Sequence, residues 1–158
     1  MDSISFKEYP ILFVDDEEMA VVTFQHLYKD VFTIHTALNG EEGLRVLENH
    51  PEIVLIATDQ RMPKMTGLEL LIEVAEKYPK MINILITAYS DLALVIDLVN
   101  KGNLFRYIGK PYEEEFLQRT LFQGIEKYHL LAVRENFYAA NRAAIAKAEA
   151  EKAKRGNG

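Results

Sequence analysis

Five apolar runs of strand length recur along the chain. Most of these runs are apolar throughout, without alternation of apolar and polar positions, which is typical of strands covered on both faces of a sheet. We therefore predict five β-strands packed between layers of helices. The runs are ILFV (11–14), FTIHTA (32–37), IVLIAT (53–58), INILIT (82–87) and LFRYIG (104–109).

The segments between the runs carry apolar residues at helical spacing. Residues at i, i+3, i+4 and i+7 share one face of a helix, and such a stripe is expected to face the sheet. The alternation is strand then helix, five times over, with a long helical tail after the fifth strand. The residues that we assign to buried stripes are Val21, Phe24, Leu27 and Tyr28, then Leu68, Leu71, Ile72 and Ala75, and then Leu92, Val95, Ile96 and Val99.

This alternation predicts an α/β fold with a parallel, doubly wound sheet. Right-handed helical crossovers place the carboxyl ends of all parallel strands at one edge. Ligands of open α/β sheets bind at that edge, where the winding changes direction. Candidate chemistry is therefore sought in the residues that directly follow each strand.

Composition narrows the class of protein. The chain has 158 residues, of which 49% are hydrophobic, enough for one core with an appendage. It contains no cysteine, so neither a disulfide nor a thiolate metal site is available. The N-terminal segment resembles no export signal, and no apolar run approaches the roughly 20 residues that cross a bilayer. We expect a soluble, cytoplasmic protein without membrane contact.

Charge is distributed unevenly along the chain. Residues 1–126 hold 11 Lys and Arg against 21 Asp and Glu, whereas residues 127–158 hold 7 against 3. The net charge of −6 thus combines −10 and +4, which indicates a boundary near residue 126. An acidic body argues against direct nucleic-acid binding by this chain.

Polar residues follow four of the five predicted strands. Asp15 and Asp16 come after the first strand, Asp59 after the third, Thr87 ends the fourth, and Lys110 follows the fifth. Three carboxylates in one small site repel each other unless some are protonated or a cation lies among them. Oxygen ligands without His or Cys favour a hard ion, so we expect Mg²⁺, or Mn²⁺ in its place.

The two remaining groups indicate phosphoryl transfer. A lysine ammonium, a hydroxyl donor and a divalent cation together stabilise the charge on a transferring phosphoryl group. A carboxylate can itself be the nucleophile and form an aspartyl phosphate, with Asp59 as the central candidate. The alternative is an ordinary salt bridge between Lys110 and the acids. Five groups at matching strand ends favour the catalytic interpretation.

Four motifs carry a family resemblance. The stretches VDDE (14–17), DQRMPKMTG (59–67), ITA (86–88) and YIGKP (107–111) resemble the receiver domain of two-component response regulators. The resemblance covers residues 6 to about 126. It implies a flavodoxin-like sheet of order 2-1-3-4-5, a receiver domain at 1–126, and a helical linker or extension at 127–158. A histidine kinase or a phosphotransfer protein would be the phosphoryl donor.

The resemblance also implies a role for each site residue. Asp59 would be the phospho-acceptor, and Asp16 and Asp59 would bind Mg²⁺ directly, with Asp15 acting largely through water. The backbone carbonyl of Arg61 would be a further metal ligand. The side chains of Lys110 and Thr87 and the backbone N–H of Ala88 would contact the phosphoryl oxygens. The Lys110-Pro111 peptide would be cis.

Signal output would begin at Thr87. Movement of its loop toward the phosphoryl group would let Tyr107 turn inward and change the face formed by helix 4, strand 5 and helix 5. Periodicity places Leu94 and Leu98 away from the predicted stripe of helix 4, so they would face solvent or a partner. A homodimer would form through this face or through the C-terminal helix.

Arg61 and Tyr89 each lie two residues beyond a site position. Their bulk would exclude the hydrolytic water and so lengthen the life of the phosphorylated state. A rival function is that of a phosphohydrolase with an Asp nucleophile. Arg61 argues against it, because such enzymes usually carry an acid at this position. A third alternative is an interaction module of the same fold that is not phosphorylated.

The C-terminal segment has high helix propensity but two apolar stripes. The first is expected to pack on the sheet, and the second, on the opposite side, is expected to meet a partner chain unless the helix bends near 129–132. Residues 145–158 are expected to be a solvated extension. No motif of a known output domain is present, so the chain is either complete or the front of a longer protein. The first stripe contains Leu117, Leu121, Gly124, Tyr128 and Leu131, and the second Leu130, Val133, Phe137, Ala140 and Ala144.

Overall fold

The computed structural model describes residues 3–88, 92–101 and 103–156. In these residues five strands alternate with five α-helices, after a short 3₁₀ turn at Phe6–Glu8. The predicted order of elements is therefore confirmed. The elements are β1 (Ile11–Val14), α1 (Glu18–Tyr28), β2 (Ile34–Ala37), α2 (Gly40–Asn49), β3 (Leu55–Asp59), α3 (Gly67–Lys77), β4 (Ile82–Thr87), α4 (Leu92–Asn100), β5 (Arg106–Gly109) and α5 (Glu114–Gly156).

The strands form one parallel sheet in the order β2-β1-β3-β4-β5, which confirms the predicted fold class. The register aligns the strand ends. Val14 pairs with Thr58, Asp59 with Ile86, and Thr87 with Gly109. The residues that follow β1, β3, β4 and β5 therefore emerge side by side at one edge of the sheet.

Burial explains why the strand sequences are continuously apolar. Every residue of β1 and β4 is buried, and so are the first four residues of β3, because helices cover both faces of these central strands. The outer strands β2 and β5 are only partly buried. Their sequences accordingly include polar residues such as His35, Thr36 and Arg106.

One face of the sheet is packed with aromatic rings. Phe13 of β1 stacks on Phe24 of α1, with ring centroids 4.1 Å apart and planes at 2°. Phe32 lies 5.1 Å from Phe122 of α5, and the Tyr28 hydroxyl donates to the backbone carbonyl of Glu114 at 3.0 Å. Aromatic pairs contribute about 0.5–1.5 kcal/mol beyond the area that they bury. They hold α1 and the first turns of α5 against β1.

The opposite face is aliphatic. Its cluster joins side chains of β1, β3 and β4 to those of α2, α3 and α4. Because side chains alternate between the faces of a strand, neighbouring residues of β1 serve different layers. The core of this face consists mainly of Leu12, Val14, Leu47, Ile56, Leu70, Leu71, Val74, Leu85 and Leu98.

The prediction for helix α4 was wrong. Leu98, expected at the surface, is 3% exposed and belongs to the aliphatic cluster, whereas Ile96 and Val99, expected in the core, are 50% and 58% exposed. The sequence LALVIDLVN is apolar around most of its circumference, so its periodicity cannot identify the buried face. The side chain of Leu94 lies outside the described residues.

Smaller differences concern the stripes of α1 and α3. Leu27 of α1 is exposed, although its neighbours in the predicted stripe are buried. In α3 the fully buried residues are Leu70, Leu71 and Val74, and Leu68 packs only partly against the same cluster. Helix α3 carries two adjoining rows of apolar residues. The row that packs against the sheet is shifted by one residue along the sequence from the predicted row.

Helix α5 is continuous from Glu114 to Gly156, but the chain divides into two compact units, 1–126 and 127–158. In the first unit Leu117, Leu121 and Gly124 are buried, as predicted. In the second unit Leu131, predicted to face the sheet, is exposed, and so are Leu130, Val133 and Phe137. Among the helices that the structure describes, none is both long and apolar enough for a membrane span.

Gly67, at the start of α3, lies close to the backbone at the end of β3. Its N–H donates to the carbonyl of Gln60 at 3.0 Å, and Thr66 caps the helix by accepting from the N–H of Glu69 at 3.2 Å. A Cβ added at Gly67 would collide with the backbone carbonyl oxygen of Asp59 and lie 3.0 Å from Cα of Gln60. Backbone atoms cannot rotate away, so this position requires glycine.

We expect Gly67→Ala to lower the free energy of unfolding by about 1–3 kcal/mol, because overpacking against the backbone outweighs the better helix propensity of alanine. The measurement is urea denaturation followed by circular dichroism. Gly109→Ala is the matched control, since a Cβ there would meet no described atom within 4 Å. Equal stability of the two variants would contradict the close approach.

Candidate functional site

Asp15 and Asp16 begin the loop that follows β1. The N–H of Asp15 donates to the carbonyl of Ala37 at 3.2 Å, which extends the pairing of β1 with β2 by one residue. One oxygen of its side chain, Oδ1, accepts the N–H of Glu17 at 3.0 Å. Asp15 is therefore held in place from both its backbone and its side chain and is 2% exposed, whereas Asp16 is exposed.

Lys110 connects two of the carboxylates. Its Nζ lies 3.1 Å from Oδ1 of Asp59 and 3.6 Å from Oδ2 of Asp15. The backbone fixes the origin of this side chain, because the N–H of Lys110 donates to the carbonyl of Thr87 at 2.9 Å. The Lys110-Pro111 peptide is cis, as the family resemblance implied. The ammonium thus joins the ends of β1, β3 and β5.

The three acids form one compact group of oxygens. Asp15, Asp16 and Asp59 each offer a carboxylate oxygen within 4.8 Å of the others. Among the ion pairs of the described residues, Lys110 is the cation that contacts these carboxylates, and one positive charge does not balance three negative ones. Hard oxygen donors without nitrogen or sulfur at this spacing suit Mg²⁺ or Mn²⁺, so the residues present fit the cation expected from the sequence.

The electrostatics of the group reflect this excess of negative charge. Burial raises the pKa of Asp15, and the charges of Asp59 and Asp16 raise it further, against the opposing effects of the Glu17 N–H and Lys110. Burial acts to lower the pKa of Lys110, but its hydrogen bond to Asp59 and the charges of Asp59 and Asp15 raise it overall. The lysine is therefore charged at neutral pH.

The loop after Asp59 is fastened by Gln60. Its side-chain oxygen Oε1 accepts the N–H of Leu68 at 2.8 Å, and its own carbonyl accepts the N–H of Gly67 at 3.0 Å. Gln60 is buried. Sequence reasoning missed this residue because a glutamine between two motif positions carries no periodic or spacing signal. It ties the first turn of α3 to the residue beside Asp59.

A cleft of about 630 Å³ opens beside the acids. Asp15, Asp59, Ala88 and Lys110 line it on the sheet side, and side chains of α1 line the other. Tyr112 also lines this cleft, and burial raises the pKa of its hydroxyl. Sequence reasoning missed Tyr112, which follows Lys110 and Pro111 but carries no periodic signal of its own.

The other predicted residues have distinct surroundings. Thr87 ends β4 and is 2% exposed, Ala88 is exposed at the cleft, and Tyr107 on β5 packs partly against the aliphatic cluster. Arg61 is exposed in the loop after β3. Tyr89 lies outside the described residues. The structure thus brings the acids and Lys110 together and places Thr87 on the neighbouring strand end.

Comparisons with protein families and with individual known proteins point to the same family. The family model of the response regulator receiver domain matches residues 11–122. The hydrogenase transcriptional regulatory protein HoxA of Cupriavidus necator is 33% identical over 123 residues, which are 78% of this chain and 25% of that protein. The DNA-binding transcriptional regulator NtrC of Escherichia coli (strain K12) is 34% identical over 114 residues, 72% of this chain and 24% of that protein.

Solved structures agree in fold. A response regulator receiver domain protein from Clostridium thermocellum has a TM-score of 0.71 at 33% identity, covering 78% of this chain and 98% of that one. The CheX–CheY–BeF₃–Mg²⁺ complex from Borrelia burgdorferi has a TM-score of 0.67 at 30% identity, covering 73% and 87%. The chain spans about a quarter of the length of the two curated relatives.

We expect Asp15→Asn to raise the melting temperature in the presence of EDTA at neutral pH by a few degrees, because it removes a charge that burial and two neighbouring carboxylates destabilise. Asparagine retains an acceptor for the Glu17 N–H. Differential scanning calorimetry is the measurement, and Asp30→Asn, at an exposed position, is the control. A lower melting temperature would mean that attraction to Lys110 outweighs the repulsion.

Proposed function

This chain belongs to the response regulator receiver domain family of two-component systems, and on that premise we propose that it is a phospho-accepting signalling switch. Asp59 receives a phosphoryl group from a sensor histidine kinase or a histidine phosphotransfer protein. The observation that carries the proposal is the contact of the Lys110 ammonium with Asp59 and Asp15 at the mouth of an open cleft.

Asp59 is the proposed nucleophile. One of its oxygens forms a bond to phosphorus while the phosphorus–nitrogen bond of the donor phosphohistidine breaks, and the imidazole nitrogen keeps the electron pair. Lys110 is within hydrogen-bond distance of Oδ1 of Asp59 and supplies a fixed positive charge for the phosphoryl oxygens. The rigid end of β3 holds the carboxylate in position for this attack.

A divalent cation completes the charge balance in this proposal. Asp16 and Asp59 would hold Mg²⁺ or Mn²⁺ directly, with Asp15 through water and the Arg61 carbonyl as a further ligand. Such an ion, when bound, offsets the charge on the phosphoryl oxygens and lowers repulsion toward the attacking carboxylate. The fit of the donor set supports this assignment: three carboxylates share one small volume with a single lysine.

The proposed switch begins with Thr87 and the backbone N–H of Ala88. Thr87 is the last residue of the buried strand β4 and Ala88 follows it, and β4 pairs with the strand that ends in Asp59, so new phosphoryl oxygens would find these donors close by. Tyr107 pairs with Leu85 across β4 and β5 and packs only partly against the aliphatic cluster, and in this proposal it turns inward when Thr87 moves. The face formed by α4, β5 and the start of α5 would then differ between the two states.

Partners follow from the exposed surfaces and the relatives. The cleft beside α1 gives a donor protein access to Asp59. The face of α4, β5 and α5, or residues 127–158, would join two copies of the chain. The transcriptional regulators that resemble this chain are about three times its length, so we propose that 127–158 links a receiver to output domains and that the receiver itself does not bind DNA. The switch would act in the cytoplasm.

Two alternative functions can be distinguished from this proposal by experiment. A phosphohydrolase would release phosphate continuously, and an interaction module would not be phosphorylated. Arg61 is an exposed, positively charged residue at the position where such hydrolases carry an acid. It therefore favours a stable phosphorylated form over continuous hydrolysis of phosphate esters.

We expect acetyl phosphate with Mg²⁺ to add one phosphoryl group to the wild-type chain, measured as intact mass. Asp59→Asn removes the nucleophile and should remain unmodified, and Lys110→Ala should react on the order of 10²-fold more slowly, because it loses a preorganised charge. The controls are Asp30→Asn and Lys101→Ala, both at exposed positions. Modification of the Asp59→Asn variant, or steady release of phosphate by the wild type, would contradict the proposal.

We expect the double variant Arg61→Ala/Tyr89→Ala to lose its phosphoryl group faster than the wild type, because smaller side chains admit the hydrolytic water. The decay is followed by intact mass after removal of the donor by gel filtration. The exposed Lys64→Ala variant, on the same loop, is the control. An unchanged half-life would show that these two side chains do not protect the phosphoryl group.

A further inference from the structure

A second group of metal-binding side chains lies away from the acidic site. His35, His50 and Glu52 each offer a ligand atom within 4.8 Å of the other two. The proposed phosphoryl chemistry uses none of them. From this geometry we propose that the three residues bind a divalent transition-metal ion, Zn²⁺, at the edge of the sheet opposite to the carboxyl ends of the strands.

Three separate elements position the ligands. His35 is the second residue of β2 and pairs in register with Leu12 of the buried strand β1. His50 is the C-cap residue of α2, and its carbonyl accepts the N–H of Ile53 at 3.1 Å. Glu52 lies in the connection between α2 and β3. Strand pairing and the helix end thus fix the backbone of the two histidines, and little ordering remains to oppose binding.

The spacing of the donor atoms suits one small ion. The rings of His35 and His50 have centroids 4.2 Å apart, with planes at 35°. Nδ1 of His50 lies 3.0 Å from Oε1 of Glu52. Zinc–ligand bonds of about 2.0–2.2 Å in a tetrahedron place neighbouring ligand atoms roughly 3.3 Å apart. Small side-chain rotations would therefore bring all three donors onto one centre.

The chemistry of the donors selects the ion. Two imidazoles and one carboxylate form a ligand set typical of Zn²⁺ with one open coordination position. Mg²⁺ prefers oxygen ligands and suits the acids at the opposite edge. The two edges of the sheet would therefore bind different classes of cation.

An ordinary ion pair explains less of the arrangement. His50 and Glu52 are both substantially exposed, and an exposed pair of this kind contributes little to stability. It also gives no role to His35, whose half-buried ring packs against that of His50. A shared cation uses all three side chains.

The test is titration of the untagged full chain with ZnCl₂ by isothermal calorimetry, with saturating Mg²⁺ present to occupy the acidic site. We expect one Zn²⁺ per wild-type chain. His35→Ala and His50→Ala should each weaken binding by at least about tenfold, and Glu52→Gln should weaken it less. His26→Ala, which removes an exposed histidine on α1, is the matched control and should bind as the wild type does.

Imidazole nitrogen shifts in the wild type provide a measurement that does not depend on folding of the variants. Zn²⁺ should shift the resonances of His35 and His50 and leave those of His26 unchanged. Absence of binding to the wild type, full affinity in both His35→Ala and His50→Ala, or a shift of His26 alone would overturn the proposal. Loss of binding in Asp59→Asn with retention in His50→Ala would place the zinc at the acidic site and would also overturn it.

Discussion

The attraction between the Lys110 ammonium and the carboxylates of Asp59 and Asp15 is the interaction on which the site depends. Three acids within a few ångströms of each other are mutually repulsive, and Asp15 is nearly inaccessible to water. Each of these facts destabilises the charged form of Asp15. In the part of the chain that the structure describes, Lys110, which follows β5, offsets part of this repulsion, and a bound cation would offset more of it. Binding of a cation between the carboxylates would therefore reduce their mutual repulsion.

The parallel sheet brings these charged groups together with few residues. Parallel strands in the order β2-β1-β3-β4-β5 bring residues far apart in sequence to one edge, and buried neighbours on both faces prevent the strands from sliding. The backbone bond from Lys110 to the Thr87 carbonyl and the close approach of Gly67 to Asp59 then fix the loops. The positions of the candidate site residues are therefore set by the strands and loops that carry them rather than by their contacts with each other alone.

Much of this arrangement could be predicted from the sequence, for identifiable physical reasons. Central strands buried on both faces read as unbroken apolar runs, and polar residues at their ends, such as Asp59 and Lys110, stand out. Helix α4 could not be oriented, because an almost wholly apolar helix has no unique buried face, and Leu98 was misplaced as a result. The role of Gln60 could not be predicted, because a hydrogen bond between a side chain and the backbone leaves no periodic pattern in the sequence.

Gln60 accepts hydrogen bonds from the backbone N–H groups of both Gly67 and Leu68, which makes local motion beside Asp59 measurable. Both amides belong to the first turn of α3, and both are held by the residue adjacent to Asp59. Their exchange with deuterated solvent therefore requires the loop beside Asp59 to open. Two ordinary backbone protons thus report local opening beside Asp59, the proposed phospho-acceptor, with no probe attached there.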